Sequence, residues 1–500
     1  MPRTETQLMY INGEWCQGEG NATFETLNPA NGEVYATIAD ASVADTQRAI
    51  KAAADAQPAW AALPFTQRVK YMLKMADVLE SMAEEFTEAL VNEAGSWVGK
   101  AGFECSVSPE EFRTAAALIY QATGEIVPSA AGKTSMLSRE ALGVITVISP
   151  WNFPLILSAR GLAPALALGN TVVLKPSEES PVSGGLLFAK LAEEAGLPPG
   201  VFNVVTCSRD NVTDVGDELV ANPAIKAVSF TGSTAVGQMI GARAGGLLKK
   251  TCLELGGKDA ILILDDADLN LAVNAATFGA FMHQGQICMS VERIIVHKDV
   301  AEEFTERLVK NVSKLTSGDP WDINKVIGPI INEKQIAKIS EQVEDARAKG
   351  ANILIGGTRD GQFYNATVIS GVTSDMRILQ EENFGPVAPI LIADSTEHAI
   401  ELANDTEYGL SAGIITRDEG KGMEVAAQLE TGMAHINDSS VDDDPHIPFG
   451  GVKNSGLGGH GGRASIEAFT ELRWVTINND PHYPPFFEES YVARCHKKRG

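Results

Sequence analysis

From Gly143 to Leu315 short apolar runs alternate with helical stretches, and this order constrains the fold more than any other feature of the chain. Gly143-Val-Ile-Thr-Val-Ile148, Thr171-Val-Val-Leu174, Val201–Val205 and Ile225–Phe230 read as buried strands. One helix runs from the loop after Ile148 to Ala167, and another spans Gly184–Ala195. A strand that returns to its sheet through a helix lies parallel to the strand before it, so the pattern demands an open α/β sheet. Past Glu254 the series resumes with strand Ala260–Leu264, helix Leu269–Met282, strand Arg293–His297 and helix Ala301–Leu315. A second α/β unit is expected there, with its boundary at Gly256-Gly257. Ser42–Glu93 is alanine-rich with apolar residues returning at three and four; Ser42 caps the first helix and Pro64 divides two. Glu471-Leu-Arg-Trp-Val-Thr-Ile477 reads as a terminal strand, and since a strand needs a partner edge, pairing across subunits is expected.

Five hundred residues exceed one ordinary core, so two or three domains are expected. The net charge of −25 is spread along the chain, with no basic patch for phosphates. The one dense basic run, Lys497-Lys498-Arg499, reads as a solvated tail, and nucleic acid is not an expected partner. Cysteines 16, 105, 207, 252, 288 and 495 show no CxxC spacing, and no histidine pair stands at ligand spacing, which predicts neither a disulfide framework nor a metal site. Reduced thiols and an amino terminus without an apolar signal core predict a cytoplasmic protein. Ala141–Ala159 carries no charge, but Pro150, Asn152 and Pro154 in its middle point to strand, loop and helix start rather than a bilayer span.

Two strings offer chemistry: Glu254-Leu-Gly-Gly-Lys258 and Gly285-Gln-Ile-Cys288. A thiolate that attacks and a carboxylate that activates water make and then break an acyl intermediate. A single cysteine among apolar residues is equally a small buried hydrophobe. Asn152, in Pro150-Trp-Asn-Phe-Pro154 after a buried strand, brings an amide donor suited to an oxyanion, or fixes a turn between prolines. Lys175 and Glu178 follow the next strand, where they suit the hydroxyls of a ribose or simply begin a helix. A glutamate there repels a 2′-phosphate and favours NAD over NADP. Phe230-Thr-Gly-Ser-Thr-Ala-Val-Gly237 joins strand to helix with close backbone approach and amide donors for a pyrophosphate, although it is not GxGxxG and also reads as a plain turn. Glu381–Pro386 and Pro448–Ser455 read only as ordered turns.

Trp151-Asn-Phe-Pro154, Lys175-Pro-Ser-Glu178, Phe230-Thr-Gly-Ser-Thr234, Leu253-Glu-Leu-Gly-Gly257, Gly285-Gln-Ile-Cys288, Glu382-Asn-Phe-Gly-Pro386 and Pro448-Phe-Gly-Gly451 together resemble, in order, the motifs of the aldehyde dehydrogenase superfamily. The resemblance implies a Rossmann-like cofactor domain (1–119 and 142–256), an α/β catalytic domain (257–466), and a small β oligomerisation element from 120–141 and 467–500, the hairpin placed at Tyr120–Arg139. It implies Cys288 as nucleophile, Asn152 with the Cys288 N–H as oxyanion hole, and Glu254 as the base that hydrolyses a thioester. Members that acylate coenzyme A generally lack that glutamate, so its presence implies water as acceptor. Trp151, Lys175, Glu178, Gly232, Ser233, Gly237, Leu255, Glu382 and Phe384 match cofactor contacts, for NAD with NADP possible. A homodimer or homotetramer is implied, with a small-molecule aldehyde as ligand.

Arg160, about two turns beyond Asn152, resembles the benzaldehyde, vanillin and salicylaldehyde branch, where many aliphatic-aldehyde members carry an aromatic residue. Glu93-Ala-Gly-Ser-Trp97, His435-Ile-Asn-Asp438, Pro445-His-Ile-Pro448 and Pro481-His-Tyr-Pro484 are similar to that branch as well. Trp97 and Phe153 are expected at the substrate, Trp97 stacking on a ring, and Arg160 meeting a phenolic oxygen or carboxylate. Ordinary packing for Trp97 and a structural ion pair for Arg160 are the alternatives. A semialdehyde or aliphatic aldehyde, or an inactive structural relative, are the competing functional readings.

Overall fold

The computed structural model describes residues 3–479; Pro481–Pro484, Cys495 and Lys497–Arg499 lie outside the described residues. Five parallel strands form the heart of the first sheet, in the spatial order Lys250–Glu254, Ile225–Thr231, Val144–Ile148, Thr171–Lys175, Phe202–Val204. Their side chains are almost wholly buried, as apolar runs covered on both faces must be. Strand order reverses between Val144–Ile148 and Ile225–Thr231, so the loops leaving their carboxyl ends part and open a crevice. Antiparallel strands close the edges: Met9–Ile11 and Glu14–Cys16 on one side, Gly456–Leu457 on the other.

The second sheet runs Asn352–Ile355, Thr367–Ser370, Val387–Ala393, Val291–His297, Asp259–Ile263, Ala412–Ile415, His435–Ile436. Every neighbouring pair is parallel except the first. Gly256-Gly257 lies where the chain leaves one sheet for the other, between Glu254 and Asp259.

Helices Val43–Ala61 and Phe65–Ser81 flank Pro64 as expected. Ser42 caps the first in a reciprocal box with Asp45, whose amide donates to the Ser42 hydroxyl at 3.1 Å. The expected second helix stops at Met82, and a separate helix covers Ala83–Glu93. A helix at Val98–Gln121 and short strands before residue 40 were not read from the sequence.

The terminal strand corrects an expectation. Thr470–Asn478 pairs within its own chain, antiparallel to Lys133–Ala141, from Thr470 against Ala141 to Asn478 against Lys133. The hairpin expected at Tyr120–Arg139 falls at Glu125–Ala141, and its longer strand offers a nine-residue edge. Gly450–Gly462 is a loop, but a pinned one, because Gly456 and Leu457 pair with Glu254 and Leu253. Among the described residues no helix is long and apolar enough to cross a membrane.

Candidate active site

Asn152 stands on the loop after Val144–Ile148 and is buried. Its side-chain amide donates to the Gln286 carbonyl at 3.0 Å, two residues before Cys288. Its own carbonyl accepts from Lys100 Nζ at 2.6 Å. Lys100 also donates to Ser96 Oγ at 3.0 Å and pairs with Glu104. Glu104 in turn accepts from the Leu155 and Ile156 amides at 3.1 and 3.2 Å, satisfying the first turn of helix Pro154–Ala167. No motif in the sequence marks Lys100 or Glu104. Their i, i+4 spacing was the available signal.

Cys288 follows three consecutive left-handed residues, His283, Gln284 and Gly285, with φ of 48°, 55° and 69°. A Cβ on Gly285 would lie 2.2 Å from the Gly385 carbonyl oxygen, so only glycine permits this approach of the two loops. Burial pushes the Cys288 thiol up to about 12; the charges of Asp259 and Glu254 act in the same direction, and Arg160 opposes them.

Glu254 ends its strand at 3 % exposure, and neither carboxylate oxygen has a hydrogen-bond partner. Burial raises its pKa well above the ordinary carboxylate value, with Arg160 pulling the other way. Its backbone is fixed: the Gly232 N–H donates to the Glu254 carbonyl at 3.0 Å, and the Leu255 N–H to the Ser455 carbonyl at 2.9 Å. An unpaired buried carboxylate close enough to influence a thiol has the properties of a proton acceptor.

The crevice is a cavity of about 890 Å³ that reaches Cys288 and Asn152 at one end. Trp151, Lys175, Glu178, Gly232, Ser233, Leu255, Glu382 and Phe384 all line it. Gly237 does not; a Cβ there would meet Leu255 Cδ2 at 2.2 Å, so this glycine serves helix-to-strand packing. Burial alone would raise the Glu178 pKa, but Lys175 and Arg209 hold it below the usual range, with Arg209 2.9 Å away. Glu382 accepts from the Gly257 N–H at 3.1 Å, and burial, then the nearby Glu292, push it up to about 7. Glu292, which no sequence motif marks, accepts from the Asn383 and Phe384 amides at 2.7 Å each and pairs with Lys258 at 2.6 Å, clamping this loop.

The expected substrate residues divide. Phe153 packs beside Cys288 in one apolar cluster with Phe449 and Met289, and its ring lies 4.1 Å from Lys100 Nζ. Arg160 is already engaged, 3.4 Å from Glu111, paired with Asp443, and stacked 4.6 Å over the Phe449 ring. The ion pair weighed as the alternative is present, and the Arg160 charge also acts on Cys288 and Glu254. The Trp97 indole donates to the Ile323 carbonyl at 3.2 Å, and none of Trp97, Phe153 and Arg160 lines the cavity.

A family model described as "Aldehyde dehydrogenase family" matches residues 15–475. A vanillin dehydrogenase of Pseudomonas fluorescens is 44% identical over 478 residues, covering 95% of this chain and 99% of that one. A benzaldehyde dehydrogenase [NAD(+)] of Pseudomonas putida is 43% identical over 478 residues, covering 95% and 97%. The crystal structure of a salicylaldehyde dehydrogenase from Pseudomonas putida G7, complexed with salicylaldehyde, superposes with a TM-score of 0.94 at 41% identity, covering 96% of this chain and all of that one.

Proposed function

Because this chain belongs to the aldehyde dehydrogenase family, we propose that it oxidises an aromatic aldehyde to its carboxylic acid through a thioester on Cys288. The observation that carries this reading is the buried, unpartnered Glu254 carboxylate, whose charge acts on the Cys288 thiol. Cys288 gives its proton to solvent, its sulfur bonds to the aldehyde carbon, and the carbonyl π pair moves onto the oxygen. Asn152 spends one amide hydrogen on Gln286 and keeps the second for the oxyanion, alongside the Cys288 N–H. A nicotinamide cofactor held by the cavity residues would supply the hydride acceptor that oxidation of this carbon requires. Glu254 then takes a proton from water, the hydroxide displaces the sulfur, and Cys288 regains its thiol as the acid departs.

The cavity residues fit a dinucleotide. Ser233 begins helix Thr234–Gly246 without spending its side chain on the helix's own amides, leaving donors for a phosphate. Lys175 and Glu178 suit a ribose, and Glu178 favours NAD over NADP. The aromatic substrate is supported by Phe153 and Phe449 around Cys288 and by the names of the relatives. A semialdehyde is the weaker reading, since Arg160 already satisfies two carboxylates. Five free cysteines among the described residues support a reducing, cytoplasmic setting.

Rates with benzaldehyde, vanillin and salicylaldehyde, compared with propanal and succinic semialdehyde under both cofactors, test the assignment. The aromatic aldehydes should show the higher kcat/KM, with NAD preferred. Preference for propanal or the semialdehyde would overturn the aromatic reading.

A further inference from the structure

Behind Glu254 lies a cluster that this mechanism does not use. Cys252 stands two residues before Glu254 on the same strand, so both side chains leave one face. His460 reaches that face from the Gly-rich loop. Its backbone is held by reciprocal hydrogen bonds with Phe449, at 2.8 and 2.9 Å. One potential ligand atom from each of Cys252, Glu254 and His460 lies within 4.8 Å of the other two, and all three residues are buried.

The donor set and its geometry suit a thiophilic cation. Cys252 Sγ and His460 Nδ1 are 3.7 Å apart; two such ligands on a tetrahedral zinc stand about 3.5 Å apart at ordinary bond lengths. His460 Nε2 lies 3.0 Å from Ser229 Oγ, the kind of outer hydrogen bond that fixes an imidazole's tautomer and leaves its other nitrogen for a metal. Glu254 needs no bond broken to join, because both of its oxygens are free of partners. One thiolate and one carboxylate also balance a divalent charge, which a buried site requires.

We propose that Cys252, Glu254 and His460 form a binding site for a thiophilic divalent cation such as zinc, and that its occupancy inhibits turnover by sequestering Glu254. The binding half stands on the cluster alone; the inhibitory half rests on Glu254 being the base proposed above. On binding, the Cys252 thiol gives its proton to solvent as the sulfur–metal bond forms, and His460 enters as the neutral imidazole. No oxidation state changes.

Cobalt(II) titration of the chelator-treated full-length protein, with no aldehyde or nicotinamide present, tests the binding half. The near-ultraviolet absorption of a thiolate–cobalt bond reports the site. Wild type should bind one tight equivalent, and Cys288→Ala should keep it. Cys252→Ala and His460→Phe should each bind at least ~100-fold more weakly, since losing even an outer-sphere partner costs 10–100-fold. His460→Phe conserves an aromatic ring against Phe469, and decides the matter should Cys252→Ala not fold. A Cys252→Ala or His460→Phe protein that binds like wild type overturns the site, and so does loss of the tight equivalent in Cys288→Ala. For the second half, zinc should slow steady-state NADH formation, spare the first turnover, and be reversed by a chelator. A bound metal that leaves steady turnover unchanged overturns the inhibitory role while the site stands.

Discussion

Lys100 carries three protons and has three acceptors, Ser96 Oγ, a Glu104 oxygen and the Asn152 carbonyl, which is how a fully buried ammonium survives. Lys100→Met should destabilise the fold by about 3–5 kcal/mol in urea unfolding, because Glu104 is left charged and buried without its partner. A loss below about 1 kcal/mol would show that the pair does not matter. Glu382 gives a pH dependence. Burial and the nearby Glu292 raise its folded-state pKa from the ordinary 4.5 to about 7, so the folded state binds the extra proton between those values. Stability should fall as pH rises through that window, and Glu382→Gln should flatten part of that slope in unfolding midpoints measured from pH 4 to 8. Cys288 and Glu254 were legible because each sits in a short local string. Arg160 was not fully legible: its two carboxylate partners lie 49 and 283 residues away in sequence. Cys252 and His460 are 208 residues apart, beyond any ligand-spacing rule.

Among the elements, the parallel strands could be read because burial on both faces makes them continuous apolar runs. The first helix could be read from its cap, and Ser42→Ala should cost about 1 kcal/mol in thermal or urea unfolding. Helix Val98–Gln121 was missed because Pro109 and a run of buried polar residues, among them Lys100, Glu104 and Glu111, blur its apolar face. Polar side chains were assigned there by the needs of the site rather than by amphipathicity. The short strands before residue 40 alternate polar and apolar residues over too few positions to carry a period. The terminal strand was recognised but its partner was not. Register with Lys133–Ala141 is set by a hairpin more than 300 residues earlier, and alternation alone names no partner.

At the scale of the molecule, strand Thr470–Asn478 stands at the end of its three-stranded sheet, and Trp474 is 69 % exposed on it. We expect that edge to meet a second copy. Light scattering should give a mass at least twice 53.2 kDa, with Trp474→Glu shifting it towards the single chain. A wild type that runs as one chain would refute this. In the proposed mechanism one thiol and one carboxylate act in sequence, an order that rapid-mixing kinetics of Glu254→Gln with NAD and an aromatic aldehyde resolves. Acylation of Cys288 does not need Glu254, so about one NADH per site should form rapidly, followed by a steady rate at least ~100-fold below wild type. A steady rate equal to wild type, or a first turnover lost together with it, would contradict the account.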